Sequence, residues 1–160
     1  MNRDSQSVKI RLREITQDSV RAICDLKVSK EQEQFVAPNS VSIAEAHFSK
    51  EAWFRAVYAD ETPVGFVMLA EVPREERAVL GSHFLWRLMI DERYQGRGYG
   101  RKALESVMQH LKEKSNVNAL HTSCREGKGS PKGFYKKMGF NETGEKIDNG
   151  ERIMKLKLTR

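Results

Sequence analysis

From Val8 to Arg13 apolar and basic residues alternate strictly, with Val8, Ile10 and Leu12 set against Lys9, Arg11 and Arg13, which is the period of a half-buried strand. Thr16 then stands where it can cap a helix whose apolar face is Val20, Ile23, Cys24 and Leu26. Ser42, followed three positions on by Glu45, has the form of a capping box and predicts a second short helix running to about Phe48. Two β-branched and aromatic runs, Trp53 to Ala59 and Val64 to Val72, flank Asp60-Glu61-Thr62-Pro63 and read as a hairpin. Ser82 to Ile90 adds a further strand.

Beyond a glycine-rich stretch the period changes. Ala103, Leu104, Val107, Met108 and Leu111 fall at helical spacing and predict a long amphipathic helix to about Lys114, followed by a short strand from Ala119 to Cys124. Ser130-Pro131 and Gly139 bracket a helix from Pro131 to Met138. Phe140 to Ile147 and Glu151 to Leu158 flank Asp148-Asn149-Gly150, a strong hairpin signal. The order β-α-α-β-β-β-α-β-α-β-β describes an α/β protein with a mixed sheet. With no Pro-, Ser- or Gly-rich linker and no repeat, residues 1–160 read as one domain.

Composition narrows the function classes. Hydrophobic residues at 39% of 160 are enough for a real core. Charged residues at 31%, with no apolar run near the roughly 18 positions of a bilayer span, exclude an integral membrane protein. The polar stretch Met1 to Ser7 has no apolar segment behind it, so a cytoplasmic protein is expected. Cys24 and Cys124 stand far apart, and His47, His83, His110 and His121 are scattered, so neither a disulfide framework nor a metal site is expected. The net charge of +6 is uneven: residues 14–61 are net −4, residues 62–160 net +7. One half suits a cationic partner and the other an anionic one.

The anion-binding chemistry concentrates at Ile90-Asp91-Glu92-Arg93-Tyr94-Gln95-Gly96-Arg97-Gly98-Tyr99-Gly100-Arg101, between a strand and the long helix. Three glycines in five residues let the backbone approach a ligand, and the helix turns its unpaired N–H groups and positive dipole end toward the same place. That is a phosphate cradle. No Gly-Lys-Ser/Thr follows, and Arg101 stands where a dinucleotide fingerprint needs its third glycine, so neither ATP nor NAD is indicated. Arg97, Arg101 and Lys102 add fixed positive charge. The plainer alternative is a tight strand–helix junction with its basic side chains in water.

Gln95-Gly96-Arg97-Gly98-Tyr99-Gly100 resembles the Q/R-x-x-G-x-G/A acetyl-CoA signature of the GCN5-related N-acetyltransferase (GNAT) superfamily, and Gly133-Phe134-Tyr135-Lys136-Lys137-Met138-Gly139-Phe140 resembles its later F-Y-x-x-x-G-F signature. The resemblance spans essentially the whole chain. Within the superfamily, Ile90 to Gly96 and the region from Val28-Ser29 to Glu45-Ala46 are similar to bacterial diamine (spermine/spermidine) acetyltransferases. This implies the GNAT fold with a splayed central sheet, acetyl-CoA as cosubstrate, and no metal. It implies that backbone groups of Leu88, Met89 and Ile90 pair with the pantetheine arm, that amides from Gln95 through Gly96, Arg97, Gly98, Tyr99 and Gly100 to Arg101 hold the pyrophosphate, and that the segment carrying Lys128 and Lys137 closes over the thiol end. Family members often carry Asn after the strand ending near Ser123, where this chain has Glu126-Gly127-Lys128-Gly129.

Acetyl transfer needs a neutral amine and a proton for the departing thiolate. Tyr135 is the expected acid, against the plainer role of an aromatic packing on Phe134. Glu71, Asp91 and Glu92 are candidate bases, none singled out, and His83 is a further candidate. Glu31 and Glu33 are expected to receive the distal ammonium of a polyamine, with exposed helix-end acids as the plainer alternative. The expected partner is a small-molecule amine, a polyamine before an amino sugar, amino acid or protein amino group. Neither nucleic acid nor membrane is expected, and a homodimer is left open. The competing class is a basic nucleic-acid-binding module, against which no recognised readout motif appears.

Overall fold

The computed structural model describes residues 7–159 except residue 115. Residues 1–6, whose polarity argued against a leader, lie outside the described residues. Seven strands form one sheet: β1 (Ile10–Arg13), β2 (Ala52–Ala59), β3 (Thr62–Glu71), β4 (His83–Ile90), β5 (Ala119–Cys124), β6 (Asn141–Lys146) and β7 (Arg152–Lys157), in the order β1-β2-β3-β4-β5-β7-β6. Only β4 and β5 are parallel. The helices are α1 (Val20–Asp25), α2 (Asn39–His47), α3 (Arg77–Leu80), α4 (Tyr99–Lys112) and α5 (Lys132–Met138). The mixed α/β sheet and its element order are as expected, with α3 added. Its sequence, bordered by Arg74-Glu75-Glu76, has too little apolar periodicity to signal a helix.

The sheet has two covered faces. Against one, α4 buries Ala103, Leu104, Val107 and Leu111 on Val57, Val67, Leu85, Leu120 and Met154. Each large side chain so buried contributes about 1.5–3 kcal/mol. Against the other, Ile23 and Leu26 join Ala56, Phe66, Met68 and Met89, with Ile43 of α2 packed alongside. Among the described residues no helix is long and apolar enough to cross a membrane.

Two expected caps are not used. The first helix begins at Val20, and Thr16 contributes its carbonyl, which accepts from Ser19 N at 3.1 Å and Val20 N at 2.9 Å. The second begins at Asn39 after Pro38, three residues before the predicted cap. Ser42 lies inside it, fully buried, with its hydroxyl unpartnered, because the helix turns this position onto the sheet. Asn39 instead ties α2 to α1, donating from Nδ2 to the Ile23 carbonyl at 2.9 Å.

The central event is the parting of β4 from β5. They pair only at Phe84 and His121, and Thr122 Oγ1 donates to the Leu85 carbonyl at 3.0 Å. Beyond that point β5 follows β7, while Leu88, Met89 and Ile90 stay with Val67, Phe66 and Gly65 of β3. Met68 opposes Arg87 and Leu69 opposes Leu85, so Trp86 is an extra residue in β4. Such a bulge bends the strand and turns it from its neighbour. Three backbone units of β4 thus face a gap.

Gly81, which precedes β4, has φ 67° and ψ −178°, and a Cβ there would lie 2.0 Å from His121 Nδ1. Backbone of this kind costs a non-glycine residue about 1–3 kcal/mol even without a clash. Gly81→Ala therefore lowers the unfolding free energy by at least that order, read from urea midpoints. An unchanged midpoint would mean that this loop has room to turn.

Candidate active site

A cavity of about 540 Å³ fills the gap. At one end the first backbone bond of α4 runs from Lys102 N to the Gly98 carbonyl at 3.1 Å, so the amides of Tyr99, Gly100 and Arg101 point out of the helix end. Gly96 and Gly98 hold φ of 76° and 79°, and no atom lies within 4 Å of a Cβ built at either. The approach to the backbone is open. Arg101 and Lys137 add positive charge to this end of the lining. These features fit a diphosphate.

Gln95 fixes the turn from within. Its Nε2 donates to the Ile90 carbonyl at 2.8 Å and to Gln32 Oε1 at 2.9 Å, while Gln32 Nε2 donates to Gln95 Oε1 at 3.2 Å. Asp91 braces the same junction, accepting from Lys27 N at 3.0 Å and from the backbone N and Nε of Arg93, each at 2.9 Å. Burial works to raise its pKa, but these hydrogen bonds and the Arg93 charge outweigh it and hold the carboxyl below its ordinary value. Asp91 is thus a fixed anion with its oxygens engaged.

In the middle of the cavity Tyr135 is 6% exposed, with its ring 5.6 Å from Phe134 and 5.3 Å from Phe140. Burial pushes its phenol up to about 12, against the pull of a hydrogen bond with Thr122. The far end is made by Trp86, Arg87, Ser123 and Glu151, with Val28, Phe35 and Val36 from the chain between α1 and α2. Arg87 Nη1 donates to the Trp86 carbonyl at 3.0 Å, and its Nη2 is 3.6 Å from Glu45 Oε2. Burial lowers its pKa, opposed by Glu45 and Glu151, and its Nε is buried without a partner.

The chain between α1 and α2 also reaches the 125–130 loop. Arg125 Nη2 donates to the Gln34 carbonyl at 3.1 Å, and Lys128 Nζ lies 3.0 Å from Glu31 Oε1. Gly129 makes this approach possible: at φ 85° its Cβ position would be 3.0 Å from the Glu31 carbonyl oxygen. The Glu-Gly-Lys-Gly sequence that departs from the usual Asn is thereby accommodated as a packing surface.

Of the residues expected from sequence, Leu88, Met89, Ile90, Gln95, Gly96, Gly98, Tyr99, Gly100, Arg101, Tyr135 and Lys137 line this cavity together. Arg97 does not, reaching instead to the Arg93 carbonyl at 3.4 Å and over the Tyr94 ring. Glu31 and Lys128 are engaged with each other off the lining, and Glu33 is exposed beside them. Glu71 pairs with Arg77 at 3.4 Å, Glu92 is exposed, and His83 contacts Ser82 at 3.0 Å at the other end of β4; none lines the cavity. Gln32, Arg87, Ser123 and Glu151 do line it and were not singled out from sequence. Glu151 carries no local signal beyond following the Asn149-Gly150 turn. Among the described residues no group of three or more His, Cys, Asp or Glu could hold a metal ion.

The acetyltransferase (GNAT) family model matches residues 13–140. The chain belongs to the acetyltransferase (GNAT) family. It is an acetyl-CoA-dependent N-acetyltransferase. It is 33% identical over 151 residues to the spermine/spermidine N(1)-acetyltransferase of Bacillus subtilis (strain 168), covering 92% of this chain and 97% of that one. Among solved structures, an acetyltransferase from Thermus thermophilus has TM-score 0.68 at 17% identity, over 95% of this chain and 99% of that one. The spermidine N-acetyltransferase from Vibrio cholerae, solved in complex with CoA and spermine, has TM-score 0.66 at 16% identity, over 93% and 95%.

Proposed function

We propose that this GNAT enzyme, acting as one domain over residues 1–160 in the cytoplasm, acetylates a primary amine of a polyamine such as spermidine or spermine. The observation that carries the substrate class is the 33% identity, over almost the full length of both chains, to an enzyme named for those amines. Charge supports it. At the cavity end away from the phosphate cradle the lining carries the Glu151 carboxylate, and Glu45, off the lining, lies 3.6 Å from Arg87 and offsets its charge. The partner is a small cation in this reading, not a nucleic acid.

Acetyl-CoA supplies an activated thioester. In this reading the free edge of Leu88, Met89 and Ile90 pairs with the pantetheine arm, and the turn from Gln95 with the amides of Tyr99, Gly100 and Arg101, and Lys137, holds the diphosphate. Tyr135 stands where the two strands part and hands a proton to the sulfur. Both reactants then meet inside the gap, whose two edges are held in register by β3 and β7.

Arg87 favours a second substrate reading, because a guanidinium on the cavity lining suits an amine that also carries an acceptor group, as amino acids and amino sugars do. A thiol-release assay over an amine panel separates the two. Spermidine should exceed a neutral-tailed monoamine of equal length by about tenfold or more in kcat/KM, a gap that narrows as salt rises because it is electrostatic. Preference for an amino acid or amino sugar would instead assign Arg87 to substrate recognition.

A further inference from the structure

The cavity crosses the plane of the sheet. On β5, Thr122 packs toward Tyr135 and the face covered by α4, whereas Ser123 belongs to the opposite face and pairs in register with Ile153 of β7. Glu151 stands two residues before Ile153, where strand alternation places it on the face of Ser123. Ser123 Oγ donates to Glu151 Oε2 at 2.9 Å. Among the described residues lining the cavity, Glu151 is the only carboxylate. Its charge acts on Arg87 on one side of the gap and on Tyr135 and Cys124 on the other. One carboxylate therefore lines the opening from the β5 side, on the sheet face opposite Thr122 and the phenol, with one oxygen held by Ser123.

The three carboxylates that sequence offered as bases are all off this lining: Asp91 is fully engaged at the turn, Glu71 is paired with Arg77, and Glu92 is exposed. We propose that Glu151 receives the reacting ammonium and takes the proton whose loss frees the nitrogen lone pair, with Ser123 as its positioning residue. This rests on acetyl transfer to an amine and holds for whichever amine is used. The ammonium gives one proton to the Glu151 carboxylate, and the freed pair forms the new N–C bond to the acetyl carbon. The C–S bond breaks with its electrons on sulfur, which takes the Tyr135 proton. The phenolate takes the second proton from nitrogen, and Glu151 releases the first to solvent. One amide, one thiol and one proton result.

Glu151→Gln keeps the volume and an oxygen for Ser123 but cannot accept a proton. With the best amine of the panel, kcat/KM near pH 7 should fall about 10²-fold, at the low end of general acid–base effects. The deficit should shrink as pH approaches the amine's own pKa near 10.4, where solvent supplies the free amine. The Kd of acetyl-CoA, measured by calorimetry, should not move. Glu151→Asp should restore part of the rate, and Ser123→Ala should reproduce the pH effect more weakly. A purely structural brace predicts a loss that is the same at every pH and unrelieved by Asp, and that outcome overturns the proposal. So does a folded Glu151→Gln protein, or Ser123→Ala protein if the former does not fold, with an unaltered pH profile. The parent assay separates this from the substrate reading: activity on another amine but not on spermidine removes the polyamine while the Glu151 test proceeds on that amine. A parent that acetylates no amine removes both.

Discussion

Tyr135→Phe should lower kcat by about 10²- to 10⁴-fold, the range of a lost general acid, and leave the Kd of acetyl-CoA nearly unchanged. The substitution removes one hydroxyl from a buried ring packed between Phe134 and Phe140, so volume and packing are kept. What is lost, in the proposed function, is the proton donor where β4 and β5 part. A phenol of reference pKa about 10 is a weaker acid than a thiol of about 8.5, so donation does not run on an acidity difference. It runs on position. In the proposed function the sulfur gains charge beside the buried phenol, where partial desolvation makes a thiolate more basic than in water and a donor held by packing needs little reorganisation. With the phenol pushed up to about 12, the acid stays protonated across the working range, and the parent should show no alkaline fall assignable to Tyr135 below about that pH. Stability follows the same group. Its folded pKa lies above the unfolded value, so its contribution is complete below pH 10 or so and is lost as pH rises through about 12. The Phe protein should lack that alkaline component, in single-turnover kinetics for the rate and pH-dependent melts for the stability. Unchanged turnover where chemistry limits the rate would leave Tyr135 as a packing residue.

The parts of this site legible in sequence are those whose chemistry is local. Glycines at Gly96 and Gly98 signal left-handed backbone within a few residues, and the helix whose N-terminus they feed is marked by Leu104, Val107 and Leu111 at helical spacing. Alternation marks β1, β-branched and aromatic runs mark β2 and β3, and the Asn149-Gly150 turn marks the last hairpin. Glu151 is different: it reaches the cavity only because β5 pairs with β7 in one register, and pairing across 28 positions has no signature in a single sequence. Glu31 shows the converse. Its place in an acidic segment is plain to read, but its engagement by Lys128 depends on two loops meeting far along the chain. Ser42 and Glu45 have the spacing of a capping box, yet burial of Ser42 against the sheet overrides the local pattern and leaves Glu45 to face Arg87. Charge totals were a coarse guide for the same reason. The one carboxylate among the described residues lining the cavity, Glu151, comes from the basic half, while Glu31 and Glu33 of the acidic segment lie off it.

Gly98→Val should weaken acetyl-CoA by about 10²- to 10³-fold, as expected from losing one or two charge-assisted hydrogen bonds at about 1.5–3 kcal/mol each. Gly98 sits at φ 79° and immediately precedes the first residue of α4. A β-branched side chain is strained in that region, so the turn must open or rotate to admit it. Space is not the obstacle, since no neighbouring atom lies within 4 Å of a Cβ built there. The fold should therefore survive, with far-ultraviolet circular dichroism unchanged and only a modest drop in Tm. What cannot survive is the aim of the Tyr99, Gly100 and Arg101 amides, because φ at Gly98 sets the direction in which the helix end points. Gly98→Ala, smaller but strained at the same φ, should lie between Val and the parent. A folded Gly98→Val protein that binds acetyl-CoA as tightly as the parent, by calorimetry, would move the diphosphate away from this turn and reassign the glycines to closing a strand–helix junction.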